Sequence, residues 1–299
     1  MTVLVTGSSG FIGTRLVQML RAQGQEVREL DRSRHDLTQP ESLHGLCDGV
    51  SVIYHLAAYA HINHADLKRL RDINIGGTRH LVRAAIDAGV PRMVLLSSVL
   101  ADPQVDQPRT AYGDSKLQAE ELLQQAHNAG ELDGVILRPV NVYGPAMRGN
   151  LKTLIRLIQR GVLPPLPRFQ AVLSLVGVDD LCAAIIQAGA VAPSDETPIL
   201  EITDGQLYAI KDLEAAIRDA LGKPMPGWAV PAPVFYLAAL AGEVASKWLR
   251  LRNGPGLRSY RALSQGQQAD DSKARQHLGY NPRSTFYREL PGIVASMRR

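Results

Sequence analysis

The stretch Thr6-Gly-Ser-Ser-Gly-Phe-Ile-Gly13 decides how this chain folds. A short β-branched run, Thr2 to Val5, stands directly before it, and Phe11 to Gln23 after it has helical spacing. The stretch is therefore a strand-to-helix turn with glycines at 7, 10 and 13. Gly7 allows the tight turn, Gly10 lets the backbone approach a pyrophosphate, and Gly13 lets the helix pack closely on the sheet. The helix opening at Phe11 and Ile12 then turns free N–H groups and a partial positive charge towards the phosphates. With the strand before and the helix after, the glycines imply dinucleotide binding rather than a merely structural turn.

Outward from the turn, strand-like and helical stretches alternate. Glu26 to Leu30 reads as a second strand, and Val52 to His55, Met93 to Leu96 and Val135 to Leu137 are apolar runs of strand length. Asp66 to Ala88 and Ser115 to Ala129 have helical periodicity. This alternation predicts an α/β fold, a doubly wound parallel sheet with helices on both faces. Residues 1–145 are expected to form the dinucleotide-binding domain, with later segments completing the sheet. After Gly144-Pro145 the texture changes to a Pro-rich connection over 161–169 and helical patterns at Asp179 to Ala190, Ile210 to Leu221 and Val234 to Leu249. Residues 146–299 read as a smaller, mostly helical substrate lobe interleaved with the first.

Asp31 follows the second strand, about where an acid meets the adenosine ribose hydroxyls. That favours NAD, since a 2′-phosphate would be repelled. Arg32 and Arg34 come next and could pair with such a phosphate, so NADP stays open. Ser97-Ser98 closes a strand, and Tyr112-Gly-Asp-Ser-Lys116 opens a helix. The four-residue offset puts Tyr112 and Lys116 on one helix face. An ammonium beside a phenol is expected to lower the phenol's pKa. A serine hydroxyl at the strand end can orient a substrate oxygen. The trio suits reversible alcohol–ketone chemistry, in which a proton and a hydride move together.

Composition bounds the alternatives. Lys and Arg number 33 against 29 Asp and Glu, a net charge of +4. These cations are scattered, so nucleic acid is not an expected partner. Cys47 and Cys182 lie far apart in no metal-ligand spacing, which predicts reduced thiols, no zinc site and a cytoplasmic setting. Met1 to Gly7 has neither the basic nor the long apolar region of a signal peptide, and no stretch is long enough to span a bilayer. His61-Ile-Asn-His64 lacks a third ligand at a clear spacing and reads as a polar loop or pocket rim rather than a metal site. His55 ends an apolar strand and reads as a packed neighbour of the cofactor rather than a base. The apolar stretch Pro231 to Trp248 reads first as core of the smaller lobe, with a greasy substrate entrance or membrane-surface helix as the alternative.

These residues resemble the extended short-chain dehydrogenase/reductase family, which includes nucleotide-sugar epimerases, dehydratases and reductases, and 3β-hydroxysteroid-dehydrogenase-like enzymes. Thr6 to Gly13 matches its TGxxGxxG, Tyr112 to Lys116 its YxxxK, and Arg138-Pro-Val-Asn-Val-Tyr-Gly-Pro145 its RPxxVYGP. Val178 to Leu181, Lys273 to Arg275 and Leu278 to Pro282 match later motifs. The resemblance implies a Rossmann-type fold with Tyr112 as acid/base, Lys116 tuning it and holding the nicotinamide ribose, and Ser98 assisting. It implies cofactor contacts from Asp36-Leu37 at the adenine, Leu56-Ala57-Ala58 under the phosphates, and Pro139-Val140 at the nicotinamide. It also implies a structural role for Asn74, within reach of the cofactor, and substrate contacts from Asn141, Asn150 and Leu151.

Two departures bear on the substrate. The segment after Ser98 is Val99-Leu-Ala-Asp-Pro103 instead of one carrying Tyr-Gly, and the loop to Tyr112 is short. Leu173 stands where UDP-sugar enzymes carry a phosphate-gripping arginine. The expected substrate is a small molecule, a nucleotide sugar, with a hydrophobic hydroxy or keto compound as the alternative and a non-catalytic cofactor-binding regulator as the third reading. By analogy, the helices at Asp66 to Ala88 and Ser115 to Ala129 are expected to pair in a homodimer.

Overall fold

The computed structural model describes residues 1–31, 33–60, 66–104, 109–248 and 256–297. The elements begin β1 (Thr2–Thr6), α1 (Phe11–Ala22), β2 (Glu26–Glu29) and β3 (Val52–His55). A continuous helical run follows: α2 (Leu67–Leu70), a π-helical turn (Arg71–Gly76) and α3 (Gly77–Asp87). Then come β4 (Arg92–Leu96), a 3-10 turn (Val99–Ala101), α4 (Ala111–Asn128), β5 (Asp133–Pro139), β6 (Asn141–Tyr143) and α5 (Asn150–Arg160). The rest is β7 (Val172–Gly177), α6 (Val178–Ala190), β8 (Ile199–Ile202), β9 (Leu207–Ala209), α7 (Ile210–Ala220), α8 (Ala232–Trp248), α9 (Leu257–Gln265), α10 (Ser272–Leu278) and α11 (Phe286–Met297).

Contacts divide the chain into two units. Met1–Val140, Val178–Ile202 and Asp270–Asn281 form the first; Asn141–Gly177, Thr203–Ala269 and Pro282–Arg299 form the second. The first holds a six-stranded sheet in the order β2-β1-β3-β4-β5-β8, every pair parallel. Parallel strands are covered on both faces, so they read as unbroken apolar runs. Every residue of β3 and of β4 is buried accordingly. Leu4, Ile53, Met93, Leu95 and Ile136 from the strands meet Leu81 of α3 and Leu123 of α4 in one core cluster. Each such side chain contributes about 1.5–3 kcal/mol on burial.

The strand order reverses direction between β1 and β3. In open α/β sheets a ligand crevice lies at such a switch point, beyond the carboxyl ends of the strands. The glycine turn leaves β1 there, and Leu56-Ala57-Ala58 leaves β3 there.

The second unit is helical but also carries a small sheet, β6-β7-β9, with β6–β7 parallel and β7–β9 antiparallel. Its centre is polar as well as aromatic. Asp204 Oδ2 accepts hydrogen bonds from the hydroxyls of Tyr143 (2.9 Å) and Tyr208 (2.5 Å). The Tyr208 oxygen in turn accepts the Phe286 N–H at 2.9 Å, so this buried carboxylate is satisfied.

The tightest packing in the first unit is within the glycine turn, where a Cβ on Gly13 would fall inside the contact distance of the Gly7 carbonyl oxygen. Gly13→Ala is therefore expected to lower stability by about 1–3 kcal/mol. In urea unfolding this reads as a lower midpoint with an unchanged slope; an unchanged midpoint contradicts the packing described.

Candidate active site

The glycine turn forms a cradle by steric necessity. Gly7 has φ +72°, and a Cβ there would lie 2.7 Å from the Ala57 nitrogen. The Gly10 N–H donates to the Gly7 carbonyl at 3.0 Å, and the Thr14 N–H to that of Gly10 at 2.9 Å, which starts α1. Gly10 caps the helix with no side-chain hydrogen bond, and the first turn carries no acid. The positive end of α1 is thus left to an anion, and the residues fit a dinucleotide pyrophosphate.

Asp31, beyond β2, accepts hydrogen bonds from the backbone N–H (2.9 Å) and hydroxyl (2.8 Å) of Ser33. These bonds hold its carboxyl below the usual range, so it is ionised at neutral pH. Arg32 lies outside the described residues, as do His61 to His64. Asp36 is held low in the same way by the N–H and hydroxyl of Thr38. Leu37 is buried against Gly77 of α3, where a Cβ would come within 2.9 Å of its own. Leu56, Ala57 and Ala58 are half-buried at the switch point, and Pro139 and Val140 are buried where β5 ends.

A chain of buried hydrogen bonds runs from this cradle to the helix of Tyr112. Thr6 Oγ1 accepts the Ala57 N–H at 3.2 Å and lies 2.7 Å from His55 Nδ1. His55 Nε2 lies 3.0 Å from Thr78 Oγ1, which donates to the Asn74 carbonyl at 2.7 Å. The one hydroxyl proton of Thr78 is spent on Asn74, so Thr78 accepts from His55. His55 is therefore the neutral tautomer with its proton on Nε2, and Thr6 donates to the bare Nδ1. Burial pulls its pKa down to about 3, and the Lys116 charge acts in the same direction. Asn74 continues the chain. Its Oδ1 accepts the Tyr59 N–H at 2.7 Å, and its Nδ2 donates to the Tyr59 carbonyl (3.2 Å) and to Ser115 Oγ (2.9 Å). Ser115 Oγ then donates to the Tyr112 carbonyl at 2.7 Å. The amide of Asn74 is thus engaged with protein.

Lys116, Ser98 and the first turn of the Tyr112 helix meet at the carboxyl end of β4. Lys116 Nζ donates to the Leu96 carbonyl at 2.7 Å. Ser98 caps the Val99–Ala101 turn, its Oγ accepting the Leu100 N–H at 3.2 Å, which leaves its proton to donate. The helix approaches this turn so closely that a Cβ on Gly113 would overlap the Leu100 carbonyl oxygen. Gly113, next to Tyr112, is thus required for the approach. The Thr110 hydroxyl fixes the start of α4 by accepting the Gly113 N–H at 3.0 Å.

One expectation is corrected here. Spacing alone suggested a lowered Tyr112 pKa, but burial pushes the phenol up to about 12. The same desolvation pulls the Lys116 ammonium down to about 8, with the Glu120 carboxylate acting against it. At neutral pH the phenol carries its proton.

Sequence reading missed the charge that supports Lys116. Glu120, one turn further along α4, is fully buried. It takes a bidentate pair of bonds from Arg138 (3.0 and 2.7 Å) and a short hydrogen bond from Ser97. A Glu four residues after the Lys, and the Arg that opens RPxxVYGP, were the available signals. Asn141, Asn150 and Leu151 belong to the second unit, where Asn141 and Asn150 are exposed and Leu151 is half-buried.

Known proteins extend this geometry. The sequence profile of the NAD dependent epimerase/dehydratase family matches residues 3–199. The chain is 27% identical to a UDP-glucose 4-epimerase of Vibrio cholerae over 318 residues, covering 95% of this chain and 92% of that one. It is 28% identical to sterol demethylase protein B of Methylococcus capsulatus over 319 residues, covering 95% of each. The structure of the UDP-glucose 4-epimerase of Thermotoga maritima with UDP-glucose has the same fold, with a TM-score of 0.76 at 22% identity over 100% of this chain and 99% of that one. Fold and motifs define a nicotinamide-dinucleotide enzyme of the short-chain dehydrogenase/reductase class. The chain belongs to the NAD dependent epimerase/dehydratase family, whose members are NAD(P)-dependent enzymes.

The buried ammonium predicts a pH signature. Lys116 titrates at about 8 in the fold, against the model-compound value of 10.5. Between these values the unfolded chain holds the extra proton, so this group adds stability as pH rises through the window. The stability of Lys116→Met relative to wild type should therefore fall by roughly 1–3 kcal/mol between about pH 7 and about pH 10 in urea unfolding. A difference independent of pH contradicts a desolvated ammonium.

Proposed function

We propose that the chain catalyses reversible alcohol–ketone interconversion at a substrate carbon through Tyr112, Lys116 and Ser98. The observation that carries this reading is the convergence of Lys116, the Ser98 turn and the start of the Tyr112 helix at the end of β4. With the pyrophosphate of the dinucleotide in the glycine cradle, its nicotinamide ring would supply the hydride acceptor or donor. Gly7, Gly10, Gly13 and the N–H groups of Phe11 and Ile12 would hold the phosphates. Asp31 would meet the adenosine ribose, which favours NAD over NADP. Asp36, Leu37, Leu56, Ala57, Ala58, Pro139 and Val140 would line the remainder of the cofactor site.

Tyr112 delivers its proton to a carbonyl oxygen, or takes one from the corresponding hydroxyl. Ser98 orients that oxygen with its remaining hydroxyl proton. Lys116, held by the Leu96 carbonyl and charged below about pH 8, stabilises the phenolate when the proton has left.

The substrate in this reading is a nucleotide sugar, supported by end-to-end likeness to the Vibrio cholerae epimerase and by Asn141, Asn150 and Leu151 as candidate contacts. A hydrophobic hydroxy or keto compound is the second reading. Leu173 at the arginine position favours it, as does equal likeness to a sterol-processing relative. A homodimer and a cytoplasmic setting belong to the same proposal. Both cysteines are buried, their thiols pushed up to about 11 and about 12, which suits structural rather than reactive groups.

Tyr112→Phe tests the chemistry. Turnover should fall by at least about 100-fold while NAD affinity stays within a few-fold, as read by calorimetric titration. Undiminished turnover means that the assigned mechanism is wrong. Stabilisation in a thermal-shift panel separates UDP-, GDP- and dTDP-sugars from sterols and long-chain alcohols, and the mass from light scattering reads the dimer. No stabilisation by any sugar nucleotide removes the first substrate reading.

A further inference from the structure

In the second unit, α8 has an unusual surface. From Ala232 to Ala241 it carries no charged side chain, and the Tyr236 hydroxyl is its one polar side-chain group. Phe235, Ala239 and Glu243, spaced by four, make the inward stripe. Phe235 packs edge-on to Phe169 at 6.4 Å, Ala239 is buried, and Glu243 Oε2 accepts the Leu257 N–H at 3.1 Å. The outward face is apolar too: Val234, Tyr236, Leu237 and Leu240 are all exposed, Leu237 at 61%. Trp228, also at 61%, and Met225 are exposed in the segment of chain that precedes the helix. These six make up more than half of the eleven exposed large hydrophobics among the described residues. A helix that is apolar all round is ordinarily buried in a core or in lipid. One contiguous apolar face of this kind marks a contact surface, whereas scattered exposed residues do not.

The sequence around this face indicates what it meets. Residues 221–269 contain Lys223, Lys247, Arg250, Arg252, Arg258 and Arg261, and Glu243 is their one acid. That segment carries +5, while the whole chain carries +4, so the rest of the chain is at −1. The net positive charge of this segment of the sequence complements an anionic phospholipid surface, into which the apolar helix face would insert. With 17 residues α8 is too short to span a bilayer, and no helix of the described residues is long and apolar enough to do so. We propose that the outer face of α8, with Met225 and Trp228, docks peripherally on an anionic phospholipid bilayer. This docking is independent of which substrate the active site takes.

The test is flotation of the purified full chain with vesicles of phosphatidylcholine alone or mixed with phosphatidylglycerol. The chain is expected to float with the mixed vesicles, about tenfold or more over phosphatidylcholine alone, and to be released by high salt. Leu237→Glu combined with Leu240→Glu, both at exposed positions, should reduce flotation about tenfold with the thermal midpoint unchanged. Absence of wild-type flotation with the mixed vesicles overturns the proposal, even if the double variant does not fold. So does flotation that the folded double variant retains in full. A dimer in light scattering that the double variant dissociates, without lipid binding, assigns the face to a second copy of the chain instead.

Discussion

A neutral histidine inside the sheet ties the two halves of the candidate site together. His55 receives a hydrogen bond from Thr6, the last residue before the glycine turn, and gives one to Thr78, which is bound to Asn74. Asn74 reaches Ser115, between Tyr112 and Lys116 on α4. The cradle for a dinucleotide and the residues assigned to proton transfer are therefore held in register by side chains that never leave the interior. Each donor and acceptor in that chain has one consistent assignment, which is what makes such a network rigid rather than costly.

The same dry interior sets the electrostatics. Burial pushes Tyr112 up to about 12 and pulls Lys116 down to about 8 and His55 to about 3. A buried ammonium is tolerated only with partners. Lys116 has the Leu96 carbonyl beside it and the Glu120 carboxylate one turn away. Glu120 is itself neutralised by the bidentate Arg138 and solvated by Ser97. The charge of the lysine is thus supported by a second layer of buried ions, and losing Arg138 would leave the Glu120 carboxylate without its cation, whereas Arg138 also faces Asp102 at 3.5 Å.

Much of this was legible in the sequence because it is local. The glycines at 7, 10 and 13 act within one turn, and Tyr112 and Lys116 are one helical turn apart. β1, β3, β4 and β5 announce themselves as apolar runs, because inner parallel strands are covered on both faces. What the sequence hid is either short or long-range. β6 and β9 have three residues each, too few to show alternation. The helix α5 goes unread although Leu151, Leu154, Ile155 and Ile158 recur at helical spacing. The bonds from His55 to Thr6 and Thr78 join residues 49 and 23 positions apart. The Tyr112 shift came out with the wrong sign because spacing reports a neighbouring charge but not the loss of water. Pro231 to Trp248 reads as core by composition, yet most of its large side chains up to Leu240 face outward.

The most direct test of the network is the state of the His55 ring. Nitrogen-15 NMR of the imidazole across an acid titration reads both its charge and its tautomer. A neutral ring protonated on Nε2, unchanged from about pH 8 to about pH 5, is the predicted result. A ring that titrates near its ordinary value of about 6.5, or that carries its proton on Nδ1, would contradict the chain of bonds that joins the glycine turn to the Tyr112 helix.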